Sequence, residues 1–156
     1  MYVNMSQSLS EYALVELARN NALTITDIDT FRQQGKNVNY QNKHGWTALM
    51  WTAENGNDSL TRALIDSKAD VDLREYYKDD KYGYTALMYA ASNGHPACVE
   101  VLLEKKANAS LKDNNGKTAL DLAKHYNHTA IVNMLTTHMR LQVRIFQWTR
   151  LYEFSP

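Results

Sequence analysis

Gly83-Tyr84-Thr85-Ala86-Leu87-Met88 is a phrase the chain uses three times: Gly45-Trp46-Thr47-Ala48-Leu49-Met50 precedes it and Gly116-Lys117-Thr118-Ala119-Leu120-Asp121 follows it. Thr85 and Thr118 are 33 residues apart, and Thr47 and Thr85 are 38 apart. The likeness runs on downstream. Ala53-Glu54-Asn55-Gly56-Asn57 parallels Ala91-Ser92-Asn93-Gly94-His95, and Lys68-Ala69-Asp70-Val71-Asp72 parallels Lys106-Ala107-Asn108-Ala109-Ser110. Several co-linear blocks at one spacing identify a repeat array rather than a composition-driven coincidence.

Within one unit the local physics is legible. Thr85 is a helix cap, and Ala86, Leu87, Ala90 and Ala91 give a thin helix to about Asn93. Asn93-Gly94 stops it, because glycine accepts the left-handed conformation. Pro96 falls at the start of a second helix, where its missing N–H is not needed. Val99, Leu102 and Leu103 recur at helical spacing. Lys112 to Gly116 is a polar turn into the next unit. Helices this short are not stable alone, so units must stack and cover each other's apolar faces.

A 33-residue unit of turn, short helix and longer helix, opening Gly-x-Thr-x-Leu, resembles the ankyrin repeat. The resemblance covers about residues 8–140 and implies an all-α solenoid of stacked helix-turn-helix units with hairpin-like loops. The family's opening is Thr-Pro-Leu-His; Ala48, Ala86 and Ala119 stand for the proline, and Met50, Met88 and Asp121 for the histidine. The Thr-Ala-Leu-Met variant resembles that of many bacterial members. Lys68 and Lys106 occupy the position after the second helix where the family has glycine. A left-handed non-glycine residue costs about 1 kcal/mol, so looser or differently shaped loops are expected there.

The resemblance divides the chain into an extension (1–7), repeats at about 8–44, 45–82, 83–115 and 116–140, and a C-terminal cap or tail (141–156). The first repeat is the most degenerate. Ser8 with Glu11 reads as a capping box, and the first helix is expected to begin near Leu9. Thr24 or Thr26 caps a second helix through Ile28 and Phe31 to Gly35, and Gly35-Lys36-Asn37-Val38-Asn39 matches the family's repeat ending.

Two segments depart from the plain repeat. The second unit is five residues too long, with the excess in Leu73 to Tyr82. Its tyrosines among charged neighbours either anchor an interface or pack on the stem of a longer finger. The tail holds Leu141, Ile145, Trp148 and Tyr152 at helical spacing, while Leu141, Val143 and Ile145 alternate as a strand would. A capping segment folded over the last repeat is the expectation. The rival is a partner-binding or membrane-surface helix with Arg140, Arg144 and Arg150 on its polar side, although these are few for strong membrane binding.

Composition excludes little and suggests much. Formal net charge is zero, against a general nucleic-acid binder. Residues 1–80 carry 8 Lys/Arg and 12 Asp/Glu, and residues 81–156 carry 9 and 5; this asymmetry either orients a partner or is drift on solvated faces. The single cysteine, Cys98, lies in an apolar stretch, reads as a small buried hydrophobe and forms no intrachain disulfide. No run approaches the length of a membrane helix. Phosphate loops, Cys-x-x-Cys and His-Glu-x-x-His are absent from the sequence.

The expected function is therefore non-catalytic protein binding through a concave groove and the loop tips, with one unidentified protein partner, no nucleic acid, no membrane insertion, no cofactor and no metal. A monomer in the cytoplasm is expected, as an adaptor, an inhibitor subunit or a secreted host-directed effector. The alternative is a small enzyme or metal protein using Asp121, His125 and His128, although His128 aligns with His95 as a structural histidine of the turn. The family's binding positions fall on Lys43, His44, Trp46, Glu54 and Asn55 in the second repeat. They fall on Tyr82, Tyr84, Ser92 and Asn93 in the third, and on Asn115, Lys117, His125 and Tyr126 in the fourth. Tyr76 and Tyr77 in the insertion join them. Trp51 and Tyr89 read mainly as packing between repeats. Trp46, Tyr82 and Tyr84 flank repeat-opening glycines, so their rings are expected on free turn tips, together as one patch, and removable with little loss of stability.

Overall fold

The structure, a computed structural model, describes residues 10–76 and 82–152, with side chains at all of these except 146 and 148–152. Eight helices follow in order: α1 Glu11–Arg19, α2 Ile25–Gln33, α3 Ala48–Glu54, α4 Asp58–Asp66, α5 Ala86–Ser92, α6 Pro96–Glu104, α7 Ala119–His125 and α8 Thr129–Tyr152. No strand occurs among the described residues. The odd-numbered helices stack on one another in one row, the even-numbered helices in a second, and each odd helix packs on the even helix that follows it. The core lies between the rows and includes Leu14, Leu49, Leu64, Leu87, Leu102 and Leu135.

The caps fix the helices. Thr47, Thr85 and Thr118 each accept a backbone N–H from the residue three further on, and each is extended in backbone conformation, as a cap requires. Pro96 opens α6 as expected. In the first unit Thr24, not Thr26, caps α2 in a reciprocal box with Asp27. The cap of α1 is Ser10 rather than Ser8, and α1 begins at Glu11; Ser8 and Leu9 lie outside the described residues. Glu11 is the first residue of α1, and its carboxylate accepts the backbone N–H of Asn37 and so ties α1 to the first loop.

The loops at Lys68 and Lys106 are not differently shaped. Both lysines take φ of 74° and 68°, close to the 64° of Gly35 at the same place in the first unit. Each is followed by the same pair of bonds: Lys68 N–H to Ile65 O and Ala69 N–H to Leu64 O, Lys106 N–H to Leu103 O and Ala107 N–H to Leu102 O. That is the Schellman ending, and burial of Ala69 and Ala107 holds the lysines in a conformation they disfavour. Lys68→Gly and Lys106→Gly are each expected to stabilise the fold by about 1 kcal/mol, read as a shift in the denaturant midpoint. A loss of stability in both would show that the lysine side chains contribute more than the strain costs.

Residues 141–152 do not fold back over the last unit. They continue α8 as one 24-residue helix, about 36 Å long. Leu141, Val143 and Ile145 are more than half exposed on it. Nothing in the helix interrupts its hydrogen bonding: Gly and Pro are absent from Thr129 to Tyr152. Leu120 is only half-buried, unlike Leu49 and Leu87, because no further unit is stacked on it among the described residues. No described helix is long and apolar enough to cross a membrane.

Candidate functional site

Three hairpin-like fingers precede α3, α5 and α7, and one side chain near the base of each organises it. Asn42 donates its N–H to Trp46 O, while its Oδ1 accepts the N–H groups of His44 and Trp46 at 2.9 and 3.1 Å. Asp113 repeats this with Asn115 and Lys117, both at 2.8 Å. Glu75 holds the same place in the lengthened finger, where its N–H donates to Tyr84 O. Trp46, Tyr84 and Lys117 are thus equivalent positions. The fingers are laced together as well. The Gln41 amide donates to Gly45 O and Arg74 O, and Arg74 reaches Gly83 O and Asn114 Oδ1. Asn114 N–H donates to Tyr82 O.

This lacing brings aromatic rings from fingers and helices into one chain. Trp46 lies between Trp51 of α3, at 3.9 Å between centroids, and Tyr89 of α5, at 4.2 Å. Tyr84 meets Tyr89 edge-on at 5.2 Å, and Tyr82 meets Tyr84 at 5.3 Å. Such pairs are worth about 0.5–1.5 kcal/mol each beyond burial. Trp46 is therefore not a free ring on a turn tip: it packs on rings from two helices, and its removal is expected to lower stability. The patch itself forms as expected from the sequence. Trp51 and Tyr89 have a second role, since both line a hollow of about 800 Å³ on this face together with Trp46, Tyr84, Tyr82 and Glu75. The indole Nε1–H of Trp51 is buried without a hydrogen-bond partner among the described residues.

The electrostatics of the hollow centre on Glu75, which is only 8% exposed. Its Oε2 accepts a very short hydrogen bond from the Tyr89 hydroxyl, and its Oε1 has a long 3.5 Å contact with Tyr84 N–H. Burial and then the Glu75 charge hold the Glu54 carboxyl above its ordinary range. Burial, with the Asp113 charge behind it, pushes the Tyr84 hydroxyl up to about 12. Tyr89 is driven higher still by burial and by its bond to Glu75. A phenol whose folded pKa exceeds its unfolded value stabilises the fold fully below pH 10 and loses that contribution as pH rises. The melting temperature is accordingly expected to fall between pH 10 and 12, and Tyr84→Phe should make the fall shallower. A profile unchanged by that substitution would remove Tyr84 from the titration.

Of the positions expected to meet a partner, Lys43, His44, Trp46, Tyr82, Tyr84 and Tyr126 border this one hollow. Others serve the scaffold. The Asn55 amide donates to Ala18 O and joins α3 to α1. Ser92 and Asn93 side chains both bond Tyr89 O at the end of α5. Glu54 is half-buried, and Asn115, Lys117 and His125 are exposed outside the lining of the hollow. Tyr76 is 57% exposed; Tyr77 lies outside the described residues. Sequence reasoning missed Glu75, Glu16, Arg19, Tyr12 and Tyr40 in the lining. The insertion hid the equivalence of Glu75 with Asn42 and Asp113, and that equivalence was the available signal.

The alternative metal trio has other partners. Asp121 accepts the Thr118 N–H and hydroxyl in a capping box, which also lowers its pKa. His128 Nε2 donates to Ser92 O at 3.0 Å, as His95 Nε2 does to Glu54 O at 2.8 Å. His125 packs edge-on against Tyr126. Among the described residues no three His, Cys, Asp or Glu side chains gather in a metal-holding group. Cys98 is fully buried, and burial pushes its thiol up to about 11, which suits a core residue.

The family model for ankyrin repeats (3 copies) matches residues 5–113 and 73–145. Two curated relatives are the mitochondrial disaggregases of Bos taurus and Homo sapiens. They are 38% and 37% identical over 68 residues, 44% of this chain but 10% and 9% of theirs. The matched stretch is thus about a tenth of those relatives' length.

Proposed function

This chain belongs to the ankyrin-repeat family, and we propose that it is a non-catalytic module that binds a partner protein through the aromatic hollow and the finger tips around it. Repeats of this family are in general protein-interaction scaffolds, and the mitochondrial disaggregases are proteins of which this chain matches only a small part. The observation that carries the proposal is the joined row of Trp51, Trp46, Tyr89, Tyr84 and Tyr82. Aromatic rings that line an open concavity on laced, preorganised loops have the composition and placement of interface anchors.

The test compares proteins captured from a source lysate by the wild-type chain, by Trp46→Ala and by Tyr84→Ala. Glu100→Ala, an exposed position on α6, serves as the control. A partner recovered by wild type and control should lose at least ~2 kcal/mol of affinity with either aromatic variant, about 30-fold, after correction for the unfolded fraction. The stacking of Trp46 on Trp51 and Tyr89 predicts a parallel loss of stability for Trp46→Ala. Loss of stability without loss of corrected affinity would retire the hollow as the binding site.

A further inference from the structure

We propose that the aromatic hollow receives a cationic side chain, the guanidinium or ammonium group of a basic segment of the partner; the inference rests on the reading that this face meets a partner.

Three observations lead there independently of any family property. The first is that the protein already places a cation on this aromatic row: the Arg19 guanidinium from α1 lies 5.9 Å from the centroid of Trp51. A ring face carries the negative lobe of the quadrupole, and indole attracts cations most strongly. Arg19 is only loosely held, by an exposed ion pair with Glu16 at 3.3 Å, so an incoming cation competes with a weak internal one.

The second is Glu75. A carboxylate this deeply buried is costly unless a positive charge and full hydrogen bonding offset its lost hydration. Among the described residues one oxygen takes the Tyr89 hydroxyl, the other has a 3.5 Å contact with Tyr84 N–H, and no cation pairs with either. A guanidinium or ammonium has the donors to complete it.

The third is the neighbourhood. Glu16 shares the lining, and Glu54 is close enough to feel the charge of Glu75. An anionic side chain would be repelled by these carboxylates, and an apolar one would deepen the burial of Glu75 without neutralising it. The basic residues of the lining do not answer the need: Arg19 is turned to Glu16, and Lys43 is exposed on the first finger. The volume, about 800 Å³, falls in the range of sites that accept a side chain with its flanking backbone.

Three peptides test this, Gly-Ser-X-Ser-Gly with X as arginine, lysine or glutamine, titrated into the isotope-labelled full chain while the indole N–H resonances are followed. The chain has three tryptophans, so Trp148, near the end of α8, is an internal reference for Trp46 and Trp51. The arginine or lysine peptide should shift Trp46 and Trp51 alone, with the stronger of the two telling guanidinium from ammonium. The glutamine peptide should leave all three unmoved, and Glu75→Gln should weaken the cationic peptide about tenfold. Equal binding of the glutamine peptide, or no response to any peptide, overturns the inference; because the peptide comparison uses the wild-type chain, it stands even if Glu75→Gln fails to fold. Loss of lysate partners in Trp46→Ala without cationic selectivity would leave the interaction role intact and this inference wrong. Cationic selectivity with partners indifferent to Trp46→Ala and Tyr84→Ala would do the reverse.

Discussion

Gly45→Ala is expected to destabilise the chain by about 2–5 kcal/mol, whereas Gly116→Ala at the equivalent place should cost only about 1–2 kcal/mol. Both glycines have φ of 76°, so the backbone strain of an added Cβ is the same. Their surroundings differ. A Cβ on Gly45 would come within 2.2 Å of the Tyr76 backbone nitrogen, from the next finger, while a Cβ on Gly116 would meet nothing within 4 Å. Backbone cannot swing aside as a side chain can, so the larger penalty includes forcing two fingers apart. Equilibrium urea unfolding of the two variants separates the terms, and equal losses would mean that the fingers do not press on each other. The Gly45 variant should also weaken binding at the hollow, since Trp46 and Glu75 are carried by the two fingers that are displaced.

Leu102→Ala and Leu87→Ala should each cost about 2–5 kcal/mol, a large part of the whole stability of a domain this size. Leu102 is wholly buried on α6, and Leu87 is 2% exposed on α5. Each lies in the core between the two rows of helices, where truncation leaves a cavity that flanking units cannot close without shifting their own stacking. Unfolding curves monitored by circular dichroism give the value. A cost below about 1 kcal/mol for both would mean that the site collapses around the gap and that the interior is looser than the burial implies.

The scaffold was legible in the sequence because its determinants are local. The capping threonines, Pro96, the apolar spacing of α6 and the turn at Gly94 each act within a few residues of themselves. A contact between successive units is also written there, although it is readable only beside the structure. Gly56 and Gly94 have the rings of His95 and His128 lying where a Cβ would project, at 2.6 Å. The corresponding residue of the fourth unit is Asn127, also left-handed at φ 61°. With no further histidine placed over it among the described residues, a side chain is tolerated. The same logic explains Asp121, exposed where Met50 and Met88 are buried.

The site was legible only in part. Trp46, Tyr82 and Tyr84 announced themselves by flanking the repeat-opening glycines, and their clustering follows from the repeat. That Trp46 stacks on Trp51 and Tyr89 does not follow, because ring orientation depends on the fit between consecutive units. Nor does the inward turn of Glu75. Its spacing to Tyr84 is stretched by the insertion, and its hydrogen-bond partner Tyr89 is 14 residues away.

The sequence by itself determined the number of units, a helix pair in each and the threonine caps of α3, α5 and α7, since propensity, capping and periodicity are properties of neighbouring residues. It also determined that Lys68 and Lys106 would stand where glycine is preferred. Only the tertiary structure decided that those lysines accept the left-handed conformation, because buried Ala69 and Ala107 hold the ending in place. It likewise decided that the last segment extends α8 instead of covering the final unit. It decided, finally, that the Glu75 carboxylate shares one hollow with the joined rings of Trp51, Trp46, Tyr89, Tyr84 and Tyr82. These outcomes are set by the balance of burial and hydrogen bonding between segments far apart in the chain, which no local pattern encodes.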